Sequence, residues 1–405
     1  MFISHRIALD PNDQQAAYFA RASGTARKAF NWGLDEWQKQ YAARKLDPSL
    51  PAPSEAALRR LLNAIKAERF PWMAEVTKNA PQQAIKNLGA AFNRYFAGKG
   101  KYPRFKKKGI HDSFRADDGP GKNHPNAVEV TGKRVKLPCV GWVRTREPLR
   151  FNGKIISAVV SRIADRWFVS LTVEIDSSTP IRENQAACGV DLGVKALATI
   201  SDGTVVEGPK ALRLNLNKLA RLGRSLSRKK KGSANREKAK AKLARLHARI
   251  SNIRQDALHK LTTDLTRRFT VIGVENLNVR GMMTNDRLAR SIADMGFHEF
   301  RRQLEYKATM RGATVIVADT WFASSKTCSD CGHKIDQLSL SERKWRCPAC
   351  GVKHDRDVNA AINLRNVAVS STVSACGEEG SGLGRKLKTK PASVKQEPSI
   401  KATYA

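Results

Sequence analysis

Ala187-Cys-Gly-Val-Asp-Leu-Gly-Val194 is an apolar run that closes on a carboxylate, Asp191. A run of this kind reads as a strand buried on both faces. Residues 196–201 read as its antiparallel partner. Val271-Ile-Gly-Val-Glu-Asn-Leu277 repeats the pattern and closes on Glu275. A helix over 296–310, a strand over 314–318 and a helix over 356–367 complete an α/β set. The last helix opens in His354-Asp-Arg-Asp-Val-Asn-Ala-Ala-Ile-Asn363, which supplies a third carboxylate, Asp357. Carboxylates at the ends of neighbouring strands can converge, and convergent hard oxygens are what two Mg²⁺ ions about 4 Å apart require. Each residue alone has a plainer reading: Asp191 as a strand-end turn residue, Asp357 as a helix cap.

Between the 314–318 strand and the last helix stand Cys328, Cys331, Cys347 and Cys350, in the spacing C-x2-C-x15-C-x2-C. Each knuckle offers two thiolates from one tight turn, and four thiolates close a zinc tetrahedron with no open position. The expectation is one structural Zn²⁺ per chain. Lys326, His333, Lys334, Arg343 and Lys344 surround the module and partly offset its negative charge. Cys139, Cys188 and Cys376 stand apart, so no disulfide framework is expected and a reducing, cytoplasmic setting suits the chain.

Upstream, residues 2–9 read as a strand and 14–96 as helices broken at Pro51, Pro53, Pro71 and Pro81. Tyr102-Pro-Arg-Phe-Lys-Lys-Lys-Gly is a basic, aromatic turn. Short strands follow over 127–130, 134–137 and 141–144, with longer ones over 155–163 and 167–175. The first strand and this later set are expected to close one small barrel with the helices inserted in it. Between positions 210 and 268 stand 19 Lys and Arg against three acidic residues, a local net charge of +16. Leu216, Leu219, Leu222 and Leu226 form one apolar stripe, and Leu243, Leu246, Ile250, Ile253, Ala257, Leu261 and Leu265 a second. This is a basic helical hairpin turning at Arg228-Lys-Lys-Lys-Gly-Ser. Beyond Ser370 the chain is rich in Gly, Ser and Lys, and a disordered tail is expected there.

Over 405 residues the hydrophobic fraction is 41% and the net charge +36. The first figure excludes global disorder, and the second makes a polyanion the natural partner. No apolar run approaches the roughly 18 residues of a membrane span, so no membrane association is expected.

The order Gly189-Val-Asp-Leu-Gly-Val, Gly273-Val-Glu-Asn-Leu, then Asp355-Arg-Asp-Val-Asn-Ala-Ala after a four-cysteine module resembles the TnpB family. These are compact RNA-guided, RuvC-type nucleases of bacterial insertion sequences, related to type V CRISPR effectors. Arg27-Lys-Ala-Phe-Asn-Trp resembles the family's N-terminal signature, Tyr102-Pro-Arg-Phe-Lys its basic turn, and Gly384-Arg-Lys-Leu with Lys395-Gln-Glu its C-terminus. The resemblance implies that Asp191, Glu275 and Asp357 are the RuvC triad, holding two catalytic Mg²⁺ ions. Asp357 is preferred over Asp355 because related nucleases keep the Asp two residues before the Asn; Asp355 is then structural, and Arg356 is expected to face the phosphates.

The implied partners are a guide RNA copied from the element's end and a double-stranded DNA target beside a short flanking motif, with one protein per guide. Lys78 and Gln82 match family positions that contact the target-adjacent duplex, and their spacing of four suits one helix face. An ordinary exposed helix face fits that spacing equally. Pro81 requires that helix to begin nearby or to kink. Arg104, Lys106 and Lys107 of the turn, and Lys238, Lys242, Arg245 and Arg249 of the hairpin, are further candidate nucleic-acid contacts.

The expected fold class is α+β multidomain. A wedge-like barrel spans 1–10 and 97–185, with a helical recognition domain at 11–96. An RNase H-like (RuvC) core spans 186–324, carrying the hairpin at 211–268. A zinc ribbon at 325–353, a last RuvC segment at 354–368 and a tail at 369–405 complete the chain. A strand-joining transposase and a non-catalytic nucleic-acid-binding regulator are the alternatives to an RNA-guided DNA endonuclease.

Overall fold

The computed structural model describes residues 1–116, 128–176, 186–339 and 341–377. They fall into two compact units, one within Met1–Pro180 and Pro209–Ala257, the other within Ile181–Gly208 and Leu258–Ala405.

The first unit opens with β1 (Phe2–Asp10), whose alternate residues Ile3, His5, Ile7 and Leu9 are buried. Asn12 and Gln15 exchange hydrogen bonds in a capping box and start α1 (Asp13–Leu46). Then come α2 (Glu55–Arg69) and α3 (Asn79–Phe96), separated by a 3₁₀ turn at Pro71–Glu75. Pro81 falls in the first turn of α3, where its missing N–H costs nothing, so the helix needs no kink. The strands are β2 (Ser113–Arg115), β3 (Glu129–Thr131), β4 (Arg134–Leu137), β5 (Gly141–Thr145), β6 (Lys154–Ile163) and β7 (Arg166–Glu174). With β1 they form a seven-stranded antiparallel sheet in the order β2-β6-β7-β1-β5-β4-β3. Among the described residues no pairing joins the edge strands β2 and β3, so the expected barrel stands as an open sheet. Helices and sheet share one core: Phe19 of α1 meets Phe114 of β2 and Trp167 of β7 at ring separations of 6.0 and 5.4 Å. The expected boundary between barrel and helical domain is therefore not a boundary in packing.

In the same unit α4 (Ala211–Ser227) turns into α5 (Ala234–Arg268). Arg236 donates to the carbonyls of Leu226 and Lys229 at 2.8 and 2.9 Å, tying the two helices at the turn. Leu246 and Ile250 pack with Leu219 and Leu222, as their stripes predict. The hairpin, expected as an insertion at 211–268 in the nuclease-like core, divides between the two units. Only from Leu258 onward, with Leu261 and Leu265, does α5 enter the core of the second unit.

The second unit holds β8 (Ala187–Leu192), β9 (Ala198–Ile200), β10 (Val205–Val206), β11 (Val271–Val274) and β12 (Thr314–Val317), in the order β10-β9-β8-β11-β12. Strands β8, β11 and β12 are parallel, and β9 runs antiparallel to β8. The short helices α6 (Val279–Met282) and α7 (Ala289–Met295) precede α8 (Phe297–Arg311). A ribbon of β13 (Lys344–Arg346) and β14 (Lys353–Asp355) leads into α9 (Arg356–Gly377).

Gly189 and Gly273 are paired in register on β8 and β11. A Cβ on Gly189 would meet the Ala361 carbonyl at 1.9 Å, and one on Gly273 the Leu364 carbonyl at 2.2 Å. Backbone of α9 thus lies directly on the sheet because both residues lack a side chain. Helix α9 runs ten residues past its expected end at Val367, so the start of the expected tail is helical; 378–405 lie outside the described residues. No helix among the described residues is long and apolar enough to cross a membrane.

Candidate active site

Val190 and Val274 are the last paired residues of the parallel ladder between β8 and β11. Asp191 and Glu275 each follow by one residue, so they stand side by side at the carboxyl edge of the sheet. Desolvation, reinforced by the charges of Glu275 and then Asp357, pushes Asp191 up to about 8. The three carboxylates therefore share one electrostatic neighbourhood. Arg356 and Arg343 only partly oppose them. Among the described residues no hydrogen bond or ion pair reaches the half-buried Asp191 carboxylate. Glu275 accepts from the Ser324 hydroxyl, and Asp357 accepts from Arg343 at 3.0 and 3.2 Å. The carboxylate oxygens of the three are not all gathered within 4.8 Å of one another, and Asp357 is paired with Arg343. An unpartnered, partly buried carboxylate facing two more suits hard divalent cations, which would repay the repulsion.

Asp355 and Asp357 differ in what their side chains bond. Asp355 Oδ1 accepts from the backbone N–H groups of Asp357 and Val358, both at 3.1 Å, and so caps α9. The capping role that Asp357 alone might have filled belongs to its neighbour. Arg356, expected to face phosphates, donates to the Ser339 carbonyl at 2.9 Å.

The four sulfurs of Cys328, Cys331, Cys347 and Cys350 lie within 4.8 Å of one another, with Cys328–Cys350 and Cys331–Cys347 at 3.6 Å. Tetrahedral zinc with bonds of 2.3 Å sets its sulfurs about 3.8 Å apart, so the donor set fits that ion. Desolvation raises the Cys347 thiol, but the amides of Cys350 and Ala349 and the neighbouring sulfurs outweigh it and bring it down to about 6.

Sequence reasoning missed His354. Its Nε2 lies 3.0 Å from Cys328 Sγ, and its ring packs on Trp345 at 4.8 Å. The only available signal was its inward position on β14 between exposed Lys353 and Asp355.

It also missed the pair Asn359 and Asn363, one turn apart and buried. Both side-chain amides donate to the Thr327 carbonyl, at 2.7 and 2.6 Å, and Asn363 also donates to Ser324 O at 2.8 Å. Asn359 Oδ1 accepts from Ser329 N at 2.9 Å. The helix that carries Asp357 is thereby fastened to the first cysteine knuckle and to Ser324, the partner of Glu275.

The remaining candidates are dispersed in the first unit. Lys78 and Gln82 line one concavity of 170 Å³ with Arg59 and Lys66. Lys106 Nζ lies over the Phe30 ring at 4.1 Å, and burial lowers its pKa. Its backbone exchanges hydrogen bonds with the Asn31 side chain at 2.7 and 2.9 Å. Arg27 pairs with Asp112 at 2.8 Å. Two motifs singled out separately in the sequence are thus one structural joint, and Lys106 is part of it rather than free surface. Arg104 and Lys107 are exposed. On α5, Lys238, Lys242, Arg245 and Arg249 are exposed, and Arg245 pairs with Asp165 at 2.7 Å.

Fold and site together define a mixed α/β protein with strand-end carboxylates beside a four-cysteine cluster. A family model for the IS605 OrfB group, described as "Probable transposase", matches residues 170–286, and one described as "Cas12f1-like, TNB domain" matches 297–364. A third, described as a "Helix-turn-helix domain", matches 1–45, which here form one strand and one unbroken helix. A Streptomyces pristinaespiralis protein named "Putative RNA-guided DNA endonuclease" is 38% identical, over 96% of this chain and 94% of its own. An Escherichia coli K12 protein named "Putative RNA-guided DNA endonuclease InsQ" is 35% identical, over 96% and 98%. Among solved structures, a Cas12f1–sgRNA–target DNA complex shares the fold with a TM-score of 0.55 at 15% identity, covering 88% of this chain and 83% of that one. The chain belongs to the TnpB family.

Proposed function

We propose that this chain is an RNA-guided DNA endonuclease whose RuvC-like site is built by Asp191, Glu275 and Asp357. The observation that carries the reading is the Asp191 carboxylate, half-buried, unpartnered among the described residues and facing two further carboxylates. The strand order, with one antiparallel strand beside three parallel ones, agrees with an RNase H-like core. When bound, two Mg²⁺ ions would supply water activation and stabilisation of the leaving oxygen. Asp191 and Glu275 hold that position from neighbouring strands, and Asp357 reaches it after leaving Arg343. Ser324 fixes the Glu275 rotamer by its hydrogen bond. The four cysteines hold one structural zinc. The names of the relatives support a guide RNA and a DNA target as partners, and a net charge of +36 suits both. Lys78 and Gln82 contact the flanking duplex, where Gln can pair bidentately with adenine.

The test is cleavage of a matched duplex by the protein–guide complex with and without Mg²⁺. Asp191→Ala, Glu275→Ala and Asp357→Ala should each abolish cleavage while guide and target binding persist, because few phosphate contacts are lost. Asp355→Ala should reduce cleavage only partly, through a frayed α9. Mg²⁺-independent cleavage, or full activity in Asp357→Ala, would refute the site. The description of the IS605 model favours one other reading, a strand-joining transposase. Joined products with element ends would establish it.

A further inference from the structure

Trp321 is 89% exposed, although an indole is among the side chains that gain most from burial. It stands on the loop after β12. That strand ends level with β11, since Val317 pairs with Val274, and the Ala318 amide donates to the Val274 carbonyl at 2.9 Å. The loop therefore starts beside Glu275, at the carboxyl edge of the parallel strands, where ligands of such sheets bind.

The backbone carrying the indole is fixed on both sides. The Trp321 amide donates to Asp319 Oδ1 at 2.8 Å, and Asn276 Nδ2 donates to Thr320 Oγ1 at 2.9 Å. Asn276 Oδ1 in turn accepts from Arg301 at 2.9 Å. Beyond the indole, Ser324 donates to Glu275. A concavity of 270 Å³ is lined by Glu275, Thr320, Phe322, Ser324 and Lys326, and Trp321 stands beside it between two lining residues. An uncovered indole is thus carried on a hydrogen-bonded loop that leaves the sheet beside Glu275.

We propose that Trp321 is a stacking platform for one base of the single DNA strand whose backbone lies at the carboxylate site. Stacking tolerates any sequence because every base has a π-face, which suits a site that must accept whatever the guide selects. The inference rests on the nuclease reading above.

The test uses the protein–guide RNA complex of wild type, Trp321→Ala and Trp321→Phe. Short single-stranded DNA without complementarity to the guide, carrying 2-aminopurine at one position per oligonucleotide, is the binding probe. Matched duplexes with one abasic site scanned past the cut bond are the cleavage probe. Trp321→Ala should weaken single-strand binding roughly ten-fold, within the range that base–aromatic stacking supplies. It should also abolish the 2-aminopurine quench, raise KM more than it lowers kcat, and lose sensitivity to one abasic position. Trp321→Phe should restore most of each. If wild type cleaves nothing but Trp321→Ala still loses the quench and the affinity, the nuclease reading fails and the platform stands. Unchanged affinity and an unchanged abasic profile in an active Trp321→Ala complex would overturn the platform. Weakened guide binding with intact single-strand binding would overturn it as well, in favour of an RNA contact.

Discussion

Asp191 is destabilising to its own fold when no cation is present. Its carboxyl group titrates near 3.8 when unperturbed and near 8 in the folded chain, chiefly through desolvation and then through Glu275 and Asp357. The folded state therefore binds the extra proton, and stability is lost as pH rises from about 4 through 8. Asp191→Asn removes that penalty. In zinc-loaded protein without Mg²⁺, the variant should melt above wild type at pH 8, by about 2–4 °C for each kcal/mol recovered. The gain should shrink several-fold at pH 5, where the wild-type carboxyl is already protonated in the fold, and Mg²⁺ should diminish it at pH 8. A melting difference independent of pH would mean that Asp191 is not the titrating group. The carboxylates themselves were legible in the sequence because each ends or opens a clear apolar pattern. What allows α9 to reach them was not: Gly189 and Gly273 matter through a cross-strand pairing that no local pattern encodes.

At the scale of elements, α9 and α5 each serve two neighbourhoods. Asn359 joins α9 to the first knuckle through Thr327 and Ser329. Asn359→Ala leaves the Ser329 N–H without its side-chain acceptor, at about 1–3 kcal/mol, while Thr327 keeps the bond from Asn363. It should release zinc faster to a chelator and lower Mg²⁺-dependent cleavage at least several-fold, whereas Asn359→Asp should keep the bond from Ser329 and lose those to the carbonyls. Metal analysis and single-turnover cleavage check both. Zinc release and cleavage equal to wild type would remove the coupling. The asparagines sit in a stretch whose helical spacing was readable, but their partners lie 30 to 39 residues upstream, beyond the reach of periodicity.

For α5, the sequence offered Lys238, Lys242, Arg245 and Arg249 as candidate nucleic-acid contacts. All four are exposed, and Arg245 is also paired with Asp165. Replacing the other three with Gln should leave the melting temperature nearly unchanged. The slope of log guide-RNA affinity against log salt should fall by roughly 2–3, at 0.7–0.9 per lost phosphate contact. Adding Arg245→Gln should change the slope by less than one further contact. An unchanged slope in the triple variant would leave this face to solvent.

Across the whole molecule, composition pointed to a polyanionic partner and motif order to the family, since charge excess and metal-type spacings are properties of the chain itself. Packing limits were less legible. Helix α5 is one periodic run in sequence, yet Leu246 and Leu261 enter different cores, because an apolar stripe does not name the surface that will cover it. Likewise Phe19, Phe114 and Trp167 merge two expected domains through contacts 95 and 148 residues apart in sequence.

The fastening of α9 to the first knuckle has a consequence for anyone shortening this chain for delivery or fusion. The stretch from Cys328 to Cys350 looks like an excisable insert between β12 and the final helix. Replacing it with a glycine linker would strip Asn359 of its bond from Ser329. If Thr327 were lost as well, both asparagine amides would lose their shared carbonyl in the interior. The tip at Arg228–Ser233 is not a free cut site either: the Lys229 carbonyl there accepts from Arg236, and Gly232 turns the chain at φ 82°, where any other side chain would be strained.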